Sequence, residues 1–152
     1  MVWRMTICNT ITRHYHQADG HVTLDYDARH RRRMALTSDE GIMFLLDLPH
    51  AQLLRHGDGL LLDDGRIIAV VARPEPLMEV RGRDTRHLLA LCWQIGNRHL
   101  AAQIEPMRVL IRRDHVIRDM LVGLGAAVMD VDEAFDPEGG AYDGGHHHHH
   151  GH

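Results

Sequence analysis

A chain of 152 residues with 44% hydrophobic content has room for one ordinary domain or two small ones, each with a packed core. Its net charge of -4, from 17 Arg against 21 Asp and Glu, lacks the basic footprint of a nucleic-acid binder, and no stretch approaches the roughly 18 consecutive apolar residues of a membrane span. The opening MVWRMTICNT has none of the marks of a secretory signal, and Cys8 and Cys92 form no C-x-x-C pair, so the chain reads as cytoplasmic, with nitrogen and oxygen left to bind any metal.

Up to about residue 73 the pattern is one of short strands parted by turns. MTICNTIT, HVTLDY, RRMALT, IMFLLDL, GLLLDD and RIIAVVA are rich in β-branched and apolar residues. Ala18-Asp19-Gly20, Ser38-Asp39-Glu40-Gly41, His56-Gly57-Asp58-Gly59 and Asp63-Asp64-Gly65 supply residues that tolerate positive φ or form Asx turns. The basic run RHRRR at 29–33 reads as a strand exposing guanidinium groups on one edge or face; the alternative is a phosphate or partner patch. Pro74 and Pro76, in ARPEPLME at 72–79, suit a junction better than the middle of a sheet. A small β domain over 1–74 follows.

Beyond the prolines the period becomes helical. Asp84 is placed to cap a helix over 84–95, with Leu88, Leu91, Cys92 and Ile95 on one face and Gly96 expected in the left-handed position that closes it. Asp114 caps a second, with Ile117, Met120, Leu121 and Leu124 on one face and Gly125 after its end. Strands at LMEVRG, AAQIE, MRVLIRR and AAVMDV complete a β-α-β-β-α-β order, that of ferredoxin-like domains. The predicted class is therefore α+β: the small all-β domain, a ferredoxin-like domain over 75–134, and a flexible acidic, Gly- and His-rich tail over 135–152. Six of the acids, Asp130, Asp132, Glu133, Asp136, Glu138 and Asp143, lie where there is no Arg, and the rest of the chain balances at 17 minus 15, or about +2.

The chain ends in AYDGGHHHHHGH, which by itself reads equally as a purification handle or as a native metal-binding tract. Of the nine histidines before it, His14, His16, His21, His30, His50, His56 and His87 read as solvated or locally bonded side chains, although His14 and His16 would share one face of a strand. His99 differs. It follows the helix-closing glycine in IGNRHL, in a turn where a rigid scaffold presents one imidazole outward. His115 stands at the first position of the second helix, where the positive end of the macrodipole favours the neutral imidazole that binds metal.

The run from 96 to 126, GNRHLAAQIEPMRVLIRRDHVIRDMLVGLGA, resembles the signature of the UreE family of urease accessory proteins, which are nickel metallochaperones. GNRH, QI, DHV, ML and GLGA fall in one register, and RRRMALTSDEG, LLRHGDGLLLDDG and PEPLMEVRG extend the likeness through the first half. The resemblance implies an N-terminal β domain for peptide or partner binding, a ferredoxin-like domain that binds metal and dimerises, and a native histidine tail. It assigns His99 to the nickel-binding histidine of a homodimer interface and His115 to a position where some members carry an additional ligand. Arg113 and Gln94 stand where some relatives have histidine, which speaks against an auxiliary site built from a closely spaced histidine pair.

One imidazole per chain cannot hold a divalent ion, but a two-fold axis duplicates it. His99 and its symmetry mate supply two ligands, and His146, His147, His148, His149, His150 and His152, tethered at high effective concentration, complete the set. Such ligands suit Ni(II), and zinc or copper also bind them. The expected function is delivery of Ni(II) to apo-urease through the urease accessory GTPase, with no part for nucleic acid or membrane. A passive nickel or zinc buffer and a metal-independent binding module carrying a His tag are the alternatives. No nucleophile elbow, phosphate loop or H-E-x-x-H motif is present, and the chain does not read as an enzyme.

Overall fold

The computed structural model describes residues 4–139. It is an α+β chain, mostly strands, that divides into two compact units parted between Arg73 and Pro74. Among the described residues no helix is long and apolar enough to cross a membrane.

The first unit holds β1 (Ile7–Thr12), β2 (Gly20–Leu24), the single-turn α1 (Tyr26–Arg29), β3 (His30–Thr37), β4 (Met43–Leu53), β5 (Gly59–Leu62) and β6 (Ile67–Ala72). The strands form one sheet in the order β2-β6-β5-β1-β4-β3, with β1 parallel to β4, β2 parallel to β6 and the other pairs antiparallel. Alternate residues of these strands, Cys8, Phe44, Leu46, Leu60 and Ile68 among them, are fully buried in one core. The turns have the chemistry their composition implies. Asp64 accepts from the amide of Arg66 at 3.0 Å, and Gly65 takes φ 91°, a backbone that favours glycine.

Two expectations need correction here. HVTLDY was read as strand to Tyr26, but β2 stops at Leu24, because Asp25 caps α1 by accepting from the amide of Ala28 at 2.8 Å. That one turn rotates Arg29 inward. It was grouped with the exposed arginines, yet it is fully buried and donates to the Leu54 carbonyl at 3.2 Å.

The second unit runs β7 (Pro74–Arg81), α2 (Thr85–Asn97), β8 (Gln103–Ile104), β9 (Val109–Arg112), α3 (His115–Gly123) and β10 (Ala127–Ala134), with an antiparallel sheet in the order β10-β7-β9-β8. Met78 and Val80 of β7 and Val109 and Ile111 of β9 alternate onto one face, where Leu88, Leu91 and Ile95 of α2 and Leu121 of α3 bury them. The two units do part within 72–79, but Pro74 and Pro76, expected outside the sheet, lie inside β7 and pair with Ala134 and Asp132 of β10. The pairing of β7 with β9 covers only Leu77–Val80, so both prolines sit where the strand has one neighbour and a missing amide can face the open side.

On the other face of this sheet Arg108 donates to Glu79 at 2.9 Å, to Glu105 at 3.0 Å and to Glu133 at 2.7 Å, while Arg81 holds Glu79 at 2.7 Å. The Arg81 and Arg108 guanidiniums keep the Glu79 carboxyl below its ordinary range, and Arg108 does the same for Glu133. Carboxyls depressed on folding stabilise the fold above their unfolded value and lose that contribution as pH falls through the lowered one. Arg108→Gln is therefore expected to destabilise the unit by about 1–3 kcal/mol at neutral pH, allowing for partial exposure. The difference should shrink in acid, which thermal melts of both proteins between neutral and acidic pH would measure.

Candidate metal centre

Three of the nine described histidines are held by local chemistry. His21 Nδ1 lies 3.0 Å from the Glu40 carboxylate, and its charge-assisted contact holds Glu40 down at about 2. His56 Nδ1 accepts from the amide of Ala72 at 3.1 Å. His87 is a clasp: Nδ1 accepts from the Arg83 amide at 2.9 Å and Nε2 donates to the Leu124 carbonyl at 2.8 Å, tying the start of α2 to the end of α3. His14, His16, His30 and His50 are exposed.

His99 is held differently. The helix does not close at Gly96 as expected; α2 continues through Asn97, Arg98 is its C-cap, and His99 takes the left-handed backbone with φ 57°. The His99 amide donates to the Gly96 carbonyl at 3.0 Å and the Leu100 amide to that of Ile95 at 3.5 Å, the paired bonds of a Schellman motif. An apolar contact between the residue after the left-handed one and the helix commonly accompanies that motif. Leu100 packs against the core containing Ile95, whereas closure at Gly96 would have put polar Asn97 in that place. The hydrophobic register therefore overrode the glycine. α3 ends in the same motif with Gly125 at φ 87°, its amide bonded to Val122 at 2.9 Å and that of Ala126 to Leu121 at 3.0 Å. His99 is the only positive-φ residue among those described that is not glycine. A left-handed backbone costs a residue with a Cβ about 1 kcal/mol, and histidine bears it more readily than most. The imidazole is exposed, and the backbone beneath it is pinned from both sides.

His115 occupies the first position of α3 and is also exposed; Asp114 caps that helix, accepting from Val116 at 2.8 Å and Ile117 at 3.0 Å. The positions that might have added imidazoles serve other ends. Arg113 donates to the Leu77 and Val131 carbonyls, and Gln94 accepts from Arg98 at 3.0 Å. Among the described residues no three His, Cys, Asp or Glu side chains converge as a ligand set. His146, His147, His148, His149, His150 and His152 lie outside the described residues.

Sequence reading passed over the outer face of α2. Leu89 and Trp93, one turn apart, are 63% and 66% exposed, while Leu88, Leu91 and Ile95 fill the core face. Gly96 extends that outer strip toward His99, its φ is ordinary, and a Cβ there would meet nothing within 4 Å. Two apolar residues off the core stripe were the available signal.

Residues 7–73 match the N-terminal domain of the UreE urease accessory protein and residues 75–152 match its C-terminal domain. The chain belongs to the UreE family. It is 64% identical to the urease accessory protein UreE of Chelativorans sp. (strain BNC1), over 97% of this chain and 96% of that one. It is 60% identical to UreE of Rhodopseudomonas palustris (strain HaA2), over 82% of this chain but 58% of the longer relative. UreE 1 of Brucella suis biovar 1 (strain 1330) is 58% identical over 84% of this chain and 78% of its own length. As a UreE family member the chain is a urease accessory protein with a role in urease maturation.

Proposed function

We propose that this UreE family member is a homodimeric carrier of Ni(II) that delivers the ion to immature urease in the cytoplasm, with the urease accessory GTPase and apo-urease as its acceptors. The observation that carries the reading is His99: an exposed imidazole on a pinned left-handed residue, where glycine would relieve the backbone. Two such histidines across a two-fold axis give nickel two preset nitrogen ligands, and the tail histidines or His115 complete the set.

The outer face of α2 supports the dimer. Leu89 and Trp93 offer apolar area for burial, and Gly96 lowers helix propensity by about 1 kcal/mol with no return within its own chain, as expected where a second copy approaches closely. The β-α-β-β-α-β order and the sheet order β10-β7-β9-β8 support a ferredoxin-like second unit, whose helices cover one face and leave α2's outer side free. Zinc and copper would occupy the same nitrogens.

Transfer follows from ligand exchange. Ligands tethered by a flexible segment detach singly, and an acceptor's ligands replace them singly, so the ion moves without being released free. Calorimetric titration of nickel into the chain ending at Gly145 is expected to show one tight ion per dimer, with the weaker additional ions of the whole chain gone. Absence of any tight ion would overturn the interfacial site and leave a tail-based buffer.

A further inference from the structure

Residues 135–138, expected to open a free tail, are held against the second unit. Phe135 and Pro137 are buried while Asp136 and Glu138 are exposed, the alternation of an extended chain lying on a surface. That surface is the side of the sheet away from the helices. Leu77 and Leu110 alternate with the residues that face α2 and α3, so they point to this opposite side, and both are fully buried. Arg112, in step with Leu110 and opposite Leu77, sets its guanidinium 5.7 Å from the centre of the Phe135 ring. Farther along, the Asp136 amide donates to Gln103 Oε1 at 2.8 Å and the Glu138 amide to the Ala102 carbonyl at 2.7 Å. The segment thus leaves β10 at one edge of the sheet and ends beside β8 at the other. Three strand spacings amount to about 14 Å, which four extended residues just span.

We propose that this segment is a strap which fixes the origin of the C-terminal histidines beside His99. Ala102, where the strap ends, is three residues from His99, at most about 11 Å along the chain. Seven residues, four of them glycine, part Glu138 from His146, and by the statistics of Gly-rich chains that length reaches about 15 Å. Origin, reach and target therefore match, the condition under which a tethered ligand has its highest effective concentration. Without the strap the tether would begin at Ala134, with eleven residues between it and His146, a reach of about 18 Å, and an origin displaced by up to about 14 Å. The effective concentration of the tail at the ion would then fall roughly fivefold. In the proposed dimer each strap ends beside its own His99, so two tails meet one ion. The role rests on nickel being held at His99, and it adds the element that decides how strongly the tail engages there.

Phe135→Ser/Glu138→Pro takes away the buried ring and the amide that Ala102 holds, and leaves His99 and every tail histidine in place. Nickel is titrated, in competition with a chelator of known affinity, into the full chain and into the chain ending at Gly145, each with and without the two substitutions. They are expected to weaken the tight ion roughly fivefold in the full chain and to leave it unchanged in the shortened one, because only the tail needs the strap. Equal weakening in both lengths would overturn the proposal and make 135–138 a support of the fold. Unchanged affinity in the full chain would overturn it as well. Glu138→Pro alone keeps Phe135 in place and decides the matter if the double variant does not fold: part of the same loss, confined to the full chain, is expected, and no loss would refute the strap. A shortened parent that binds as tightly as the full chain would show that the tail adds nothing at His99, overturning the strap while nickel carriage stood. Lack of a tight ion in both parents would overturn carriage itself, and the strap with it.

Discussion

His99→Ala is expected to remove the tight nickel ion while leaving the dimer and its melting temperature nearly unchanged. Alanine keeps the Cβ, so the strain at φ 57° stays and only the imidazole goes. With the second copy changed as well, both ligands proposed for the ion would be lost. The affinity should fall by at least roughly a hundredfold, the upper end of what loss of a mere supporting partner entails. His99→Gly should lose the ion equally but gain about 1 kcal/mol of stability, because glycine adopts the left-handed C′ position without strain, as Gly125 does at the end of α3. Calorimetry and thermal melts on the two variants separate the roles. Unchanged nickel affinity in both would refute the site; a stability gain without loss of nickel would reduce His99 to a residue of backbone geometry.

Trp93→Glu is expected to separate the dimer into monomers and to take the tight ion with it. Trp93 is two-thirds exposed in the single chain, and burial at the proposed two-fold interface would occur twice. At roughly 2 kcal/mol for each buried side chain, losing both weakens dimerisation about a thousandfold before any repulsion between the two carboxylates is counted. Sedimentation equilibrium at micromolar protein, with and without nickel, reads the mass. Leu89→Glu, one turn earlier on the same face, should act alike. A dimer that survived both substitutions would place the interface elsewhere and would leave His99 without the symmetry mate on which the two-ligand site depends.

The two helices were legible because each begins with an aspartate whose carboxylate accepts the free first-turn amides, Asp84 from His87 at 2.7 Å and Asp114 from Val116 at 2.8 Å. Their core faces were legible because apolar residues recur at helical spacing, except that Leu124, expected on the apolar face of the second helix, is the C-cap of α3 and exposed. Strand existence in the first unit was equally plain from composition, though its ends were not: the Asp25 cap ended β2 at Leu24, two residues before the end of HVTLDY. The family signature singled out His99 as the residue of interest, but not the backbone that presents it.

Local chemistry thus determined where the two long helices lie and where each begins, and that the first unit is built of strands. Three things were decided only by tertiary packing. Leu100 had to meet the core, so the left-handed residue moved from Gly96 to His99. β7 could run through Pro74 and Pro76 because β9 is too short to require their amides. Arg29 went inward and Arg31 and Arg32 outward, although the five residues of RHRRR look alike in sequence. In each case neighbours distant in the chain set the outcome, since buried apolar contact and the pairing of backbone groups depend on what lies opposite and not on what lies adjacent.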